Sequence, residues 1–527
     1  MKHALVVLFS ILGLVSCATG PSRERDLVNR AVDAMGGADK LAGINTISVK
    51  GTMKQWEPEQ SDVPGGEMRF ANESSYEVVQ DRLRRASRYD WEKKFAYPAP
   101  RTYKYSEILM SDAGYVLGID TTARNAQNMQ NDPPAHAMSG LRLATAQREA
   151  GRGAATSLLL NMRNTPDRVQ SAPDLVVGGV TYPAVSYGPY IVAFDAQTGL
   201  PARVRTLDYD NVWGDVNYDL VYSQWRDFGG IKIPMNRKYE LNGRVIQENQ
   251  FTDLQINPPV DSARFDVPSG ITVGAPRPAT GNVPHQWVLR RQFIGTYLDS
   301  ENLSYDSRAA GRGLRLQELA PGVQHVVGGS HNNLLVEMNS YLVVFDAPVT
   351  DAQSNWVIDA ARAKYPGKPI RYLVLTHHHM DHAGGVRAYA AQGATLVVGQ
   401  GAGEHFRKVL AAPFTRNPDL RPTDLSRTPM IEVADQYMIS DGRREVAAYR
   451  IDNPHAKAYL LGYVPDAKLG YVTDLWSPGR DPLPAKITPP LAAVVAAVKK
   501  HGMEPARFAG GHGSTGDYAP LQKLASE

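Results

Sequence analysis

Two folded units of different class are expected: a mainly antiparallel β domain, followed by an α/β domain. Three observations predict this. From about Ile47 to Ile256, short runs rich in β-branched and aromatic residues alternate with turn signals. Pro268 to Pro284 (PSGITVGAPRPATGNVP) is dense in Pro, Gly and small residues and reads as a linker. Beyond Leu314, strands and helices alternate to the end of the chain. The expected organisation is a signal segment (1–16), a β-rich domain (17–267), a linker (268–284) and an α/β domain (285–527).

In chain order, a first helix is expected with Asp26 as its cap, Leu27, Ala31 and Met35 on one face, and Gly36-Gly37 as its stop. Ile47, Val49 and Gly51 alternate with polar partners, as in a strand with one buried face. Two short helices are expected between Ser139 and Asn161. Tyr190–Val204 reads as a hairpin around Asp195–Gly199. Leu241-Asn242-Gly243-Arg244 is a strong two-residue hairpin signal. In the second unit, several strands run from Leu314 to Pro348, ending in Tyr341–Asp346. A helix at Ala352–Ala363 and an apolar strand at Tyr372–Leu375 follow. Leu491, Val494, Val495 and Val498 mark one face of a late helix.

Composition narrows the function classes. Charged residues are 21% and hydrophobic ones 43% of 527 residues, which is ordinary globular usage. The net charge of +3 gives no reason to expect a nucleic-acid partner. The one cysteine, Cys17, permits no intramolecular disulfide, no cysteine-only zinc cage and no dithiol redox pair.

Lys2 and His3 precede an apolar run, Ala4–Gly13, that is too short to span a bilayer. Leu14-Val15-Ser16-Cys17 then resembles the lipobox of bacterial lipoproteins, which are cut before the cysteine and acylated on its sulfur. The resemblance implies a membrane anchor through acylated Cys17 and a place in the bacterial cell envelope. Ala18, where an Asp is absent, favours the outer membrane, facing the periplasm. The segments Ala31–Leu41 and Trp225–Pro234 (WRDFGGIKIP) resemble the half-barrel family of lipoprotein carriers. That likeness implies a curved sheet whose apolar concave face holds an acyl chain. A sheet that merely packs on its helices is the alternative.

The chemistry is concentrated in Thr376-His377-His378-His379-Met380-Asp381-His382, directly after the Tyr372–Leu375 strand. On an extended segment, residues two apart point the same way, so His377 and His379 can grip one metal. A turn then brings Asp381 and His382 toward a second, with Ala383-Gly384-Gly385 allowing a tight bend. Imidazole with carboxylate suits zinc, and iron or manganese are compatible.

This motif resembles the metallo-β-lactamase fold superfamily, and the resemblance covers about Leu314 to Glu527. It implies an αββα sandwich and further ligands downstream. Asn453-Pro454-His455-Ala456, Thr473-Asp474-Leu475 and Gly511-His512-Gly513 match those positions. By this likeness His377, His379 and His455 hold one Zn²⁺. Asp381, His382 and His512 hold a second, and Asp474 bridges. Asp346 supports the metal-binding loop without being a ligand. His378 is expected to point away from the metals. His331, Asn332 and Asn333 precede a strand near the expected cleft rim and read as a turn, with substrate contact as the alternative. His405 and His501 read as surface residues in helical segments.

The implied mechanism is hydrolysis by a hydroxide shared between two metals roughly 3.5–4 Å apart, with Asp381 able to orient it and take a proton. The expected substrate is a small ester, thioester, lactone or related molecule. In this superfamily, oxygen-reducing diiron members usually have Glu in place of His379. Dedicated β-lactamases lack an Asp at the position of Asp474. The alternatives retained are a β-lactam hydrolase or sulfur dioxygenase of the same fold, and a lipid or lipoprotein-binding protein that uses the amino-terminal sheet.

Overall fold

The computed structural model describes residues 22–120, 135–267, 271, 285–293, 299, 314–329, 331–416, 424–480 and 482–527. Cys17, the signal segment and nearly all of the 268–284 stretch lie outside the described residues. Among the described residues, no helix is long and apolar enough to cross a membrane.

Thirteen strands form one antiparallel sheet in the amino-terminal half. The strand Thr46–Glu57 lies between Arg69–Asp81 and Arg244–Ile256. The first and last long strands of this region are therefore neighbours. Val49, Gly51, Met53 and Gln55 face inward while Lys50, Thr52 and Lys54 face solvent, the period of two expected from the sequence. The helices Arg23–Ala34 and Ala155–Asn164 cover one face. Their Val28, Val32, Leu158 and Leu159 pack with Phe194, Leu220 and Met235 of the sheet. Each such side chain stabilises the fold by about 1.5–3 kcal/mol relative to exposure.

The Asn242-Gly243 turn joins Lys232–Leu241 to Arg244–Ile256, with both φ angles positive (49° and 82°), as that dipeptide predicts. The first helix departs from expectation at its cap. Ser22, not Asp26, accepts from the Arg25 N–H, and Asp26 sits in the first turn. There its negative charge faces the positive end of the helix.

The carboxy-terminal half is an αββα sandwich of a seven-stranded and a six-stranded sheet. Alternation along its strands builds three apolar layers. Val343, Val374 and Val397 meet Leu460, Leu469 and Tyr471 between the sheets. Val344, Leu373 and Leu396 turn outward onto Val357 and Ile358 of the helix Asp351–Lys364. On the far side, Leu461, Val472 and Phe508 meet Leu491, Val494 and Val498 of the helix Pro489–Lys500.

The helix His285–Phe293 joins the two halves. Its Leu289 lies in the core of the large sheet, and its Trp287 and Val288 lie in the core of the sandwich. On the same helix, buried Arg290 donates to Glu57 at 2.6 Å, Glu59 at 2.8 Å and Asp210 at 2.6 Å. Gln286 also donates to Asp210, at 3.0 Å. Removing one partner from a buried charge network leaves the others uncompensated, which costs about 3–5 kcal/mol. Arg290→Ala is therefore expected to lower the urea midpoint of the full chain by that order of destabilisation. An unchanged midpoint contradicts this account of the interface.

Candidate metal centre

The site forms where strand ends of both sandwich sheets converge. Leu342–Phe345 and Ile370–Val374 pair in parallel, so the residues after each emerge at the same edge. Asp346 follows the first and Thr376–His382 the second. In the other sheet, Leu469–Val472 and Arg507–Gly510 are also parallel and deliver Asp474 and His512. His455 comes from the loop before Leu460–Val464. Asp346 and Asp474 both adopt left-handed backbone (φ 63° and 54°), unusual for residues other than glycine and tolerated best by Asn and Asp. Gly384 and Gly385 are required by space and not by φ. A Cβ at Gly384 would lie 2.3 Å from the Val349 carbonyl oxygen, and one at Gly385 2.1 Å from Ser354 Oγ.

All seven residues expected from the sequence come together, in overlapping groups whose ligand atoms lie within 4.8 Å of one another. In the first group, His455 Nε2 is 3.3 Å from His377 Nε2 and 3.0 Å from His379 Nδ1. The second comprises Asp381, His382 and His512, joined by His331. Asp474 stands between the groups. Its Oδ2 is 2.9 Å from His382 Nε2, 3.4 Å from His377 Nε2 and 3.5 Å from His455 Nε2, and its Oδ1 is 2.9 Å from His512 Nε2.

Supporting contacts orient these groups. Asp346 accepts from the Thr376 N–H at 2.8 Å and lies 3.1 Å from His382 Nδ1, so His382 presents Nε2 to the site. Burial pushes the imidazoles of His377 and His379 well toward the neutral form, His379 to about 3. Neutral imidazole is the form that ligates. Burial also opposes charge on His382, but the Asp474, Asp346 and Asp381 carboxylates outweigh it and raise its pKa. Burial likewise opposes ionisation of Asp474, yet the imidazoles of His382, His455 and His512 hold its carboxyl well below the usual range.

The donor set fits a cation. His455 Nε2 lies 3.3 Å from His377 Nε2 and 3.0 Å from His379 Nδ1, and burial holds all three rings toward the neutral form. Neutral imidazoles converging in that relation suit a shared positive ion.

Three features were not read from the sequence. His331 is no simple turn residue. Asn332 donates to the carbonyls of Gly510 and Gly513 at 2.9 and 3.0 Å, which ties the 331–333 segment to the loop of His512. His331 Nε2 consequently lies 3.3 Å from Asp381 Oδ2, and its ring meets those of His382 and His512. Its place before a strand near the expected cleft was the only signal. Second, His405 is buried, edge-on to Trp213 and His378, where a surface position was expected; the apolar face of its helix, with Phe406 and Val409, carries it inward. Third, the turn at Gln60-Ser61 of the amino-terminal sheet touches the site. His378 belongs to none of the ligand groups among the described residues, and its Nε2 meets the Ser61 carbonyl at 2.9 Å, the atom that His379 Nε2 also meets.

No curated protein matches the chain. Among solved structures, the stereoselective inverting sec-alkylsulfatase Pisa1 from Pseudomonas sp. is 18% identical with a TM-score of 0.31, over 40% of each chain. The present chain thus spans well under half of that protein. A metallo-beta-lactamase from Pontibacter korlensis is 18% identical with a TM-score of 0.31, over 40% of this chain and 97% of its own. The metallo-beta-lactamase FIM-1 from Pseudomonas aeruginosa, in a mono-zinc form, is 16% identical with a TM-score of 0.31, over 40% and 93%. The family model described as the metallo-beta-lactamase superfamily matches residues 326–514. That span contains most of the sandwich, the histidine motif and every residue proposed from it, and residues 326–514 therefore form an enzyme domain of the metallo-beta-lactamase superfamily.

Proposed function

We propose that the chain is a binuclear metal-dependent hydrolase of a small ester, thioester, lactone or related substrate, held at a bacterial cell envelope by acylated Cys17. One observation carries the hydrolytic reading: two clusters of buried imidazole and carboxylate groups share Asp474. His377, His379 and His455 would hold one ion, and Asp381, His382 and His512 the other, with Asp474 common to both. Zinc suits these donors, and iron or manganese are compatible. Divalent ions bound there would supply Lewis acidity and a water of pKa lowered toward ~7.

The chain's own residues supply the orientation. Asp346 fixes the tautomer of His382. Asp381, held by Gln60 on one oxygen and facing His331 with the other, orients the attacking water and accepts its proton. No serine or cysteine nucleophile is required.

A second reading is favoured by a cavity of about 180 Å³ in the amino-terminal half, lined by Tyr76, Tyr89, Tyr239, Phe251, Leu254 and Arg237 among others. The Arg237 guanidinium lies over Phe251 at 4.4 Å, and its Nε has no hydrogen-bond partner among the described residues. An apolar chain with an anionic head matches that chemistry.

The purified chain is expected to hold about two metal ions and to turn over a member of an ester, thioester, lactone, phosphodiester and β-lactam panel. His379→Ala should lose the first ion and cut the rate by orders of magnitude, about 10²-fold or more, while the amino-terminal sheet stays folded. Full metal content and rate in that variant contradict the ligand assignment. Cys17→Ser should release the protein from membranes with turnover unchanged, and persistent attachment contradicts the anchor. For the second reading, mass spectrometry of an organic extract should find a fatty acid that Arg237→Ala loses. An extract without lipid contradicts it.

A further inference from the structure

The turn between Thr46–Glu57 and Arg69–Asp81 leaves the large sheet and reaches the candidate metal centre. Gln60 Nε2 donates to Asp381 Oδ1 at 2.8 Å. The Tyr97 hydroxyl donates to Gln60 Oε1, which turns the amide so that its NH₂ faces the carboxylate. The Ser61 carbonyl accepts from His379 Nε2 at 2.9 Å. The same turn is tied to the loop of His455: the Lys457 N–H donates to the Asp62 carbonyl at 2.7 Å, and Arg69 Nη2 donates to the His455 carbonyl at 3.0 Å. Gln60 and Ser61 are each only 2% exposed. Glu57 and Glu59 at the root of the turn are gripped by Arg290.

These contacts have directional consequences. An imidazole whose Nε2 proton is held by a carbonyl keeps its Nδ1 lone pair free. His379 Nδ1 is the atom that faces His455 Nε2, at 3.0 Å. A carboxylate that accepts an amide N–H on one oxygen is fixed in rotation, and Asp381 then aims Oδ2 at His331 and His382, at 3.3 and 3.9 Å.

We propose that the amino-terminal sheet is a working part of the metal centre. Gln60 is a positioning residue for Asp381, and the Ser61 carbonyl fixes the Nδ1-ligating tautomer of His379. The sandwich alone therefore does not complete the site. This inference rests on the ligand assignment proposed above.

The test is cobalt titration of the full-length chain after removal of metal by chelation, read by calorimetry and visible absorption. Gln60→Met keeps the side-chain volume but removes the donor. Outer contacts of this kind are worth about 10–100-fold in metal affinity. Gln60→Met should weaken the second cobalt by that factor and change its absorption bands, with the first cobalt and the melting midpoint of the metal-free chain little altered. A merely structural role for Gln60 would move the midpoint and leave the cobalt spectrum unchanged. Tyr97→Phe unties the Gln60 carbonyl and should give a smaller loss at the same ion; it serves where Gln60→Met fails to fold. Two cobalt ions with the same affinities and bands in wild type and variants overturn this inference alone. A wild-type chain that takes up no cobalt overturns the ligand assignment and this inference together.

Discussion

Neutral imidazole nitrogens that are buried and pointed at one another are unfavourable without positive charge between them. His455 Nε2 lies 3.3 Å from His377 Nε2 and 3.0 Å from His379 Nδ1, and Asp474 links this group to His382 and His512. Burial drives the rings of His377, His379 and His455 toward their neutral form, so protons do not relieve the crowding there. Each lone pair left unmatched in such a place costs on the order of 1–3 kcal/mol. The rest of the fold holds this arrangement in place, and a cation resolves it.

The holding is done by parallel strand pairs, by Asp346 and by the amino-terminal half. Parallel pairing puts Asp346 beside Thr376 and Asp474 beside His512 at one edge. Asp346, fully buried, locks the backbone at Thr376 and the ring of His382 together. The charge network of Arg290 braces the turn that carries Gln60 and Ser61. Energy stored in close packing between the halves is thereby spent on angular precision at the site.

Much of this was legible in the sequence because it is local. Period-two alternation marks the strands, and Asn242-Gly243 marks its own turn. The 377–382 run carries four of the seven proposed ligands within six residues, and the other three sit in short segments that match a known pattern. What was not legible depends on contacts across hundreds of residues. Nothing around Gln60 signals that it meets Asp381, 321 positions away. His331 enters the site only because Asn332 bonds to the carbonyls beside His512. His405 lies on a helix whose buried face is set by a partner, Trp213, from the other half of the chain. The sequence suggests a tight bend at Gly384-Gly385, whereas their lack of a side chain matters for clearance from Val349 and Ser354.

The most direct measurement is an anomalous difference map recorded at the zinc edge from crystals of the full-length chain grown with zinc. The account predicts two peaks: one among His377, His379 and His455, the other among Asp381, His382 and His512, with Asp474 between them. A map without a peak at this edge of the sandwich, or with zinc bound only elsewhere, would contradict it.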